Sequence, residues 1–236
     1  MGIGGVLARM FGSNGGTSRE STMDVYADPI TVNCRKVLAG LKFLDVDYNL
    51  VKVDYFTGEH KGDAYTALNP NESLPAIKDG DFVLWESNAI LQYAADKYGK
   101  SDAYPTDLQA RADINRWLLW ESSAWFPTNY VYLVENCVKP LLGSGPDQAI
   151  KDAEAERFNR LAGILDARLK SSDWLCGNKP TIADIVVAAP LHLHFEQKPP
   201  LEGHPNLVRW MTQRVEQLPA WKATHVGPGF TLPDAA

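Results

Sequence analysis

The sequence predicts a small α/β domain followed by an all-helical domain, and the spacing of its apolar residues is the evidence. From Met23 to Gly99, strand-like runs alternate with helical spacing in the order β-α-β, loop, β-β-α. After Thr106 the apolar residues recur at helical spacing. The polar stretch "KYGKSDAYPTD" between the halves is interpreted as a linker. The predicted divisions are a leader over 1–22, an α/β domain over 23–100, a linker over 101–107, a helical domain over 108–226 and a tail over 227–236.

Each predicted element of the first domain has its own signal. "MDVYA" and "YNLVKVDY" read as strands, and "LPAIKDGDFVLWES" reads as a hairpin with an Asp-Gly-Asp turn. Ser87 suits the N-cap of the helix that follows the hairpin. The predicted strands cover 23–27, 48–55, 75–78 and 82–85, and the predicted helices cover 33–44 and 87–98.

The second half contains four stretches of helical spacing. Thr181 and Asp184 have the three-residue spacing of a capping box, which predicts a helix start at this point. The four stretches cover 106–126, 146–172, 181–195 and 206–224.

Composition and charge exclude several classes of function. A net charge of −6 argues against nucleic acid as the main partner, because phosphate binding needs a basic surface. The sequence has no apolar run of the roughly 18 residues that a membrane span requires. Cys34, Cys137 and Cys176 have neither a disulfide framework nor zinc-ligand spacing. These cysteines suit a reducing, cytoplasmic location without a structural metal.

The leader, "MGIGGVLARMFGSNGGTSREST", is rich in glycine and serine. Its composition favours a disordered leader or a segment added by cloning. A myristoylated anchor on Gly2 is the weaker alternative, because Val6 stands where serine or threonine is required.

Three stretches carry a resemblance to a known family: "FTGEHKGDAY", "LPAIKDGDFVLWESNAILQYAADKYG" and "CGNKPTIADI". With them the chain resembles the cytosolic glutathione transferases, from Met23 to about Val226. The "GEHK" stretch is similar to the phi class, and Thr31-Val32-Asn33 is similar to the nu class. The resemblance implies a thioredoxin-like N-terminal domain and a helical-bundle C-terminal domain, which together form the glutathione transferase fold.

The implied function is that of a detoxifying enzyme. Glutathione, as co-substrate, would be activated as a thiolate for attack on a small apolar or aromatic electrophile. The resemblance also implies a cytoplasmic homodimer. Two alternatives stay open: a glutathione-dependent disulfide reductase, which the nu-like start suggests, and a non-catalytic binding or scaffold protein of the same fold.

The resemblance assigns residues to both ends of glutathione. It implies a cis Leu74-Pro75 bond, which would turn the backbone of Leu74 toward the cysteinyl unit. Glu86 would take the γ-glutamyl ammonium, and Ser87 at a helix start would take the neighbouring carboxylate. An ordinary trans proline on an edge strand and a plain N-cap serine are the structural alternatives.

A second set of residues would hold the glycyl end of glutathione. His60 and Lys61 form a cationic pair in the loop after the second strand. Solvated loop charges are the alternative for both. Ser73 stands where phi-class sequences place a glutamine, and it is a weaker candidate for a hydrogen bond to the ligand.

Thr31 is the candidate catalytic residue, and Asn33 is the backup donor. Redox proteins of the thioredoxin type open this helix with Cys-x-x-Cys, but here Thr31 replaces the first cysteine and Cys34 is the second. A hydroxyl or amide donor can stabilise the thiolate of bound glutathione and so lower its pKa. Relatives use serine, tyrosine or cysteine in this role. A simple helix cap is the alternative for Thr31. Cys34 is interpreted as a small buried core residue, and a nucleophilic Cys34 is the weaker alternative.

The second substrate is expected between the domains, where the sequence offers many aromatic side chains. A subset of these can line an apolar pocket, although aromatics at helical spacing usually belong to the core. His192 and His194 are interpreted as packed residues, because no third ligand stands at metal-binding spacing. The pocket candidates are Trp117, Trp120 and Trp125, and Phe126, Tyr130 and Tyr132 are further aromatics of the same stretch.

Overall fold

A four-stranded sheet organises the first domain. The computed structural model of the chain describes residues 22–99 and 102–226. The strands stand in the order β2-β1-β3-β4, with β1 parallel to β2 and antiparallel to β3, and with β3 antiparallel to β4. This arrangement confirms the predicted β-α-β start and the hairpin. The strands are β1 (Met23–Ala27), β2 (Tyr48–Lys52), β3 (Ala76–Asp79) and β4 (Phe82–Trp85).

Helices cover the sheet and form the second domain. The helices of the first domain are α1 (Val32–Leu44), α2 (Asp63–Thr66) and α3 (Ser87–Tyr98). Those of the second are α4 (Leu108–Trp120), α5 (Phe126–Leu133), α6 (Lys139–Leu141), α7 (Gln148–Leu169), α8 (Ile182–Ala188), α9 (His194–Gln197), α10 (Pro205–Gln213) and α11 (Pro219–Ala223). Two π-helical segments, Glu121–Trp125 and Val134–Val138, join α4 to α5 and α5 to α6. Short 3₁₀ segments lie at Glu59–Lys61, Ala189–Leu191 and Val215–Gln217.

Helix α1 joins the two domains. It packs against α3 within the first domain and against α8 and α11 of the second. The contact with α3 depends on Gly40, because a Cβ at this position would lie 2.3 Å from Cδ2 of Leu91. The start of α1, which carries the candidate catalytic residues, is therefore fixed by close packing on both sides.

The capping box predicted at Thr181 and Asp184 is confirmed. Asp184 is fully buried, and its Oδ1 also accepts hydrogen bonds from Leu175 N at 2.9 Å and Trp210 Nε1 at 3.1 Å. Burial raises the pKa of Asp184 to about 6, against the lowering effect of these hydrogen bonds. The cap therefore ties the start of α8 to the preceding loop and to α10.

The third strand is shifted by one residue, and the predicted helical stretches 181–195 and 206–224 are each interrupted by a 3₁₀ segment. Two further differences lie near the site. Strand β2 ends at Lys52 rather than continuing to residue 55, because its partner strand β1 ends at Ala27, opposite Lys52. Ser87 is the first residue of α3, and Glu86 precedes it with a φ of 75°. The prediction of Ser87 as N-cap was therefore wrong by one position.

Parts of the predicted organisation fall outside the described residues. They include the leader up to residue 21, the tail over 227–236 and the first residue of the proposed linker, at position 101. Within 22–99 and 102–226, no helix is both long and apolar enough to cross a bilayer. The same ranges contain no group of three or more His, Cys, Asp or Glu side chains able to hold a metal ion.

Candidate active site

A cleft of about 760 Å³ lies between the two domains. One wall comes from the start of α1, the loop after β2 and the residues before β3, and the other comes from α5, α6 and the chain between them. We call this the interdomain cleft. Six of the predicted site residues line it: Thr31, Asn33, His60, Lys61, Ser73 and Leu74.

The predicted cis bond between Leu74 and Pro75 is confirmed. The paired residues of the β1–β3 ladder start at Tyr26 and Ala76, so the backbone of Leu74 lies outside this pairing. In the hairpin, Ala76 stands opposite Trp85, which places Glu86 alongside Pro75. Pro75, Glu86 and Ser87 therefore extend the line of site residues beyond the cleft lining, toward the start of α3.

Thr31 and Asn33 differ in how their side chains are engaged. Thr31 occupies the N-cap position of α1 without capping it, and its hydroxyl donates to the carbonyl oxygen of Asp28 at 3.2 Å. The side-chain amide of Asn33 makes no hydrogen bond to the described residues, and its Oδ1 is buried. Both residues face the cleft at the helix N-terminus, where the helix dipole favours an anion.

Cys34 lies behind these two residues, in the core. Burial raises the pKa of its thiol to about 12, against the lowering effect of the neighbouring Thr31 side chain. A thiol with so high a pKa supplies little thiolate at neutral pH. The structure therefore agrees with the interpretation of Cys34 as a core residue.

Asp28 is a site residue that the sequence reasoning missed. Its carboxylate accepts from Ile30 N at 3.3 Å and from Tyr55 N at 3.0 Å. It therefore joins the turn before α1 to the loop after β2. The signal available in the sequence was an Asp-Pro pair at a strand end, which favours a turn.

The loop after β2 places the side chains of His60 and Lys61 differently. His60 is only 5% exposed and stacks on Tyr55, with ring centroids 4.7 Å apart, whereas Lys61 is exposed. Nδ1 of His60 is buried without a hydrogen-bond partner among the described residues. The structure thus gives His60 a packed position and leaves the Lys61 side chain open to solvent and ligand.

Ser73 is held by two residues that sequence reasoning did not select. Its carbonyl oxygen accepts from Tyr65 Oη at 2.6 Å and from Asn69 Nδ2 at 2.7 Å. Its hydroxyl accepts from the same amide at 3.2 Å. These bonds fix the chain just before Leu74, so Tyr65 and Asn69 support the site from behind.

The three tryptophans predicted for the second-substrate pocket do not line the cleft, and this prediction is corrected. Trp117 and Trp125 are buried in the core, and Trp120 is partly buried between them. Trp120 stacks on Trp125 and meets Trp117 edge-on. Ring-to-ring packing therefore explains their helical spacing.

Other aromatic and aliphatic side chains form the apolar wall. Phe126 and Tyr130 line the cleft and stack with centroids 5.4 Å apart. They belong to the same sequence stretch, four residues apart, and that spacing was the available signal. Glu196 adds a carboxylate to this side of the cleft. The remaining apolar members of this wall include Leu133, Val138, Leu141 and Leu193.

His192 and His194 are packed residues, as interpreted from the sequence. His192 is buried with no hydrogen bond to either ring nitrogen among the described residues. Burial, together with Arg35 and His225, lowers its pKa to about 3. His194 Nε2 pairs with Glu216 at 2.9 Å.

Comparison with known protein families agrees with this geometry. The model of the glutathione S-transferase N-terminal domain matches residues 21–96, which contain the sheet and the start of α1. The model of the glutathione S-transferase C-terminal domain matches residues 131–219. Together the two models cover the first wall of the cleft and the part of the apolar wall that follows Tyr130.

Individual relatives show the same similarity. Glutathione S-transferase 3 of Zea mays is 33% identical over 91% of this chain and 94% of its own length. The crystal structure of glutathione transferase F7 from Populus trichocarpa superposes with a TM-score of 0.80 at 28% identity, over 86% of this chain and 97% of that one. A structure of glutathione S-transferase-I bound to lactoylglutathione has a TM-score of 0.78 at 25% identity, over 87% and 99% of the two chains.

Proposed function

Because this chain belongs to the glutathione S-transferase family, we propose that its interdomain cleft binds glutathione and activates the thiol for attack on an apolar electrophile. The cleft carries this proposal. One wall of the cleft contains the N-terminus of α1 and the backbone of Leu74, which lies outside the β1–β3 pairing and can pair with a peptide. The other wall is apolar and aromatic. These two walls suit a polar tripeptide and an apolar second substrate.

The γ-glutamyl end of the ligand is assigned to Glu86 and Ser87. A carboxylate at Glu86 attracts the ammonium group, and Ser87 at the first turn of α3 offers a hydroxyl and a backbone N–H to the carboxylate. The cysteinyl unit lies along Leu74, which supplies an N–H and a C=O as an added strand would. The position of Glu86 beside Pro75 supports this order along the ligand.

The glycyl carboxylate is assigned to Lys61, with His60 and Ser73 nearby. The exposed Lys61 side chain can reach a ligand at the cleft edge. The His60 side chain is buried and packed on Tyr55, so it is better suited to shaping the loop than to binding the glycyl carboxylate directly.

Activation of the thiol is assigned to the start of α1. Nδ2 of Asn33 has no hydrogen bond to the described residues and can donate to the sulfur, whereas the Thr31 hydroxyl already donates to Asp28. Donation to the thiolate favours the charged form, and the helix N-terminus acts in the same direction. We therefore propose Asn33 as the stronger donor and Thr31 as a second donor that must first release Asp28.

The second substrate is proposed to be a flat, apolar molecule with an electrophilic carbon. Phe126 and Tyr130 offer ring faces for stacking, and Glu196 disfavours an anionic group on the same side. In the reaction the glutathione sulfur forms a bond to that carbon, and a leaving group such as halide departs with the bonding electrons. The thiol proton leaves to solvent when the thiolate forms.

Disulfide reduction by bound glutathione is the second candidate reaction. The Thr-x-Asn start of α1 favours it, and it needs the same thiolate. The protein's own Cys34 is too deeply buried to replace glutathione in this role. A matched panel of aryl halides and small disulfides would rank the two reactions.

Assembly and location follow the family pattern in this proposal. Large apolar side chains are exposed on β4, α3 and α4, among them Phe82, Tyr98, Leu108 and Leu119. A second copy of the chain can cover these residues in a two-fold homodimer. The unpaired cysteines suit the cytosol.

Retention on immobilised glutathione, followed by a conjugation assay, tests the proposed function. Retention and elution by free glutathione, together with conjugate formation, are expected. Retention without turnover of any electrophile or disulfide would instead indicate a binding or scaffold protein. Absence of glutathione binding would refute the site assignment.

A further inference from the structure

A buried ion pair crosses from the first domain to the second. Lys36 on α1 and Glu121 at the start of the first π-helical segment have side chains that are 2% and 0% exposed. Nζ of Lys36 lies 2.9 Å from Oε1 and 3.0 Å from Oε2 of Glu121. Such pairs contribute little net stability, because desolvation of the two charges offsets their attraction. Stability alone therefore does not explain why the Lys36–Glu121 pair lies at the domain interface.

The remaining donors of Lys36 reach the start of α3. Nζ donates to Ser87 Oγ at 3.2 Å and to Asn88 Oδ1 at 3.3 Å. The Asn88 amide donates in turn to Leu118 O at 2.9 Å and to Glu121 Oε2 at 3.1 Å. An ammonium group has three N–H donors, so Glu121, Ser87 and Asn88 use them all.

This network determines what the Ser87 hydroxyl can do. Lys36 donates to the Ser87 oxygen from the protein interior, so the hydroxyl hydrogen must point elsewhere. The first turn of α3 also leaves its backbone N–H groups without partners inside the helix. A hydroxyl hydrogen and these N–H groups are thus available together at the positive end of the helix, which suits a carboxylate.

We propose that Lys36 is a positioning residue that fixes the Ser87 hydroxyl as a donor to the γ-glutamyl carboxylate, and that Glu121 holds Lys36 in place. The inference rests on the proposed assignment of Ser87 to glutathione. It adds that a residue of the second domain takes part in glutathione binding without touching the ligand. Nζ of Lys36 also lies 5.9 Å from the ring centroid of Phe126, so the same ammonium group is next to the apolar wall of the interdomain cleft.

The location of Glu121 supports a functional role for the network. Glu121 begins a π-helical segment, and such segments occur frequently at functional sites. The side chain is directed into the domain interface and is fully buried there. A break in the α-helical phase thus coincides with the residue that faces Lys36.

The test replaces both charges together. In Lys36→Met/Glu121→Gln neither partner is left as an unpaired buried charge, so the fold is expected to survive. Affinity is measured for glutathione and for cysteinylglycine, which lacks the γ-glutamyl unit. We expect glutathione to bind about tenfold more weakly and cysteinylglycine to bind as it does to the unaltered protein. KM for glutathione should rise, with kcat at saturation little changed.

Ser87→Ala is the matched control. Because Lys36 acts through Ser87, adding Lys36→Met/Glu121→Gln to Ser87→Ala should cause no further loss of glutathione affinity. Equal losses for glutathione and cysteinylglycine would show a merely structural role and overturn the proposal. Lys36→Arg is the substitute if the double variant does not fold. It keeps the ion pair but replaces the ammonium with a planar guanidinium, and it should show the same selective loss of glutathione affinity.

The outcomes separate this inference from the proposed function. If Ser87→Ala weakens glutathione binding but both Lys36 variants bind normally, the positioning role is refuted and the glutathione site stands. If the unaltered protein does not bind glutathione, the proposed function itself fails.

Discussion

Asn33→Ala is expected to raise the pKa of the bound glutathione thiol more than Thr31→Val does. The Asn33 amide has no hydrogen bond to the described residues and faces the cleft, so a ligand sulfur meets a donor with no competing acceptor. Thr31 must first give up its 3.2 Å bond to the Asp28 carbonyl. The contacts of the two side chains thus favour Asn33, which the sequence made the backup donor after Thr31.

The magnitude follows from the value of a hydrogen bond to a charged group. Such a bond contributes about 1.5–3 kcal/mol, and one pKa unit corresponds to about 1.4 kcal/mol. Loss of the Asn33 donor should therefore raise the thiol pKa by about one to two units. For Thr31 the bond to Asp28, worth about 1 kcal/mol, offsets part of the gain, so Thr31→Val should raise the pKa by only about 0.4 to 1.4 units.

Thiolate absorbance of bound glutathione, followed against pH in both variants, measures these shifts. Both variants should still bind glutathione, because the contacts at Leu74, Glu86 and Ser87 remain. Conjugation by Asn33→Ala should fall at neutral pH and recover partly in base. A larger pKa rise in Thr31→Val, with Asn33→Ala nearly silent, would refute the ranking. Loss of turnover in Cys34→Ser alone would place the sulfur chemistry on the protein and refute the mechanism.

Three further outcomes are expected. Ser87→Ala should weaken glutathione binding by about 1.5–3 kcal/mol in calorimetry, whereas Lys61→Ala should cost less than about 1 kcal/mol because the side chain is exposed; equal losses would contradict this difference. Burial lowers the pKa of His192 from 6.5 to about 3, so the unfolded chain binds a proton that the folded chain does not, and stability should fall as pH decreases below 6.5. In urea titrations the free energy of unfolding should fall by up to about 1.4 kcal/mol per pH unit, and this slope should be smaller in His192→Phe. An unchanged slope would show that His192 does not cause the pH dependence. Light scattering should give twice the 26.1 kDa chain mass at micromolar concentration, and a single-chain mass would reject the homodimer.

The first domain could be predicted from the sequence because local signals and tertiary packing agree there. Period-two runs, a two-residue turn at Gly80-Asp81 and a Pro-containing strand start each constrain the backbone locally. The order of donors at the start of α1 could not be predicted in the same way. It depends on Asp28, whose carbonyl oxygen engages Thr31 and whose carboxylate holds the loop at Tyr55. Both contacts arise from chain geometry that residue types alone do not specify.

The prediction placed three tryptophans on the second-substrate wall, but they pack on one another in the core, and the residue that reaches the cleft follows a change of helical phase. A continuous α-helix over 106–126 would keep Trp117, Trp120 and Trp125 near one face. The π-helical segment Glu121–Trp125 adds to the helix a turn of different period. It directs Glu121 to the domain interface and Trp125 into the core, and Phe126, one residue later, reaches the cleft. Hydrophobic spacing cannot reveal such a change, since the residues on both sides remain apolar. Glu121 is the one charged residue of the π-helical segment. A search for acidic residues within apolar helical stretches would therefore select it.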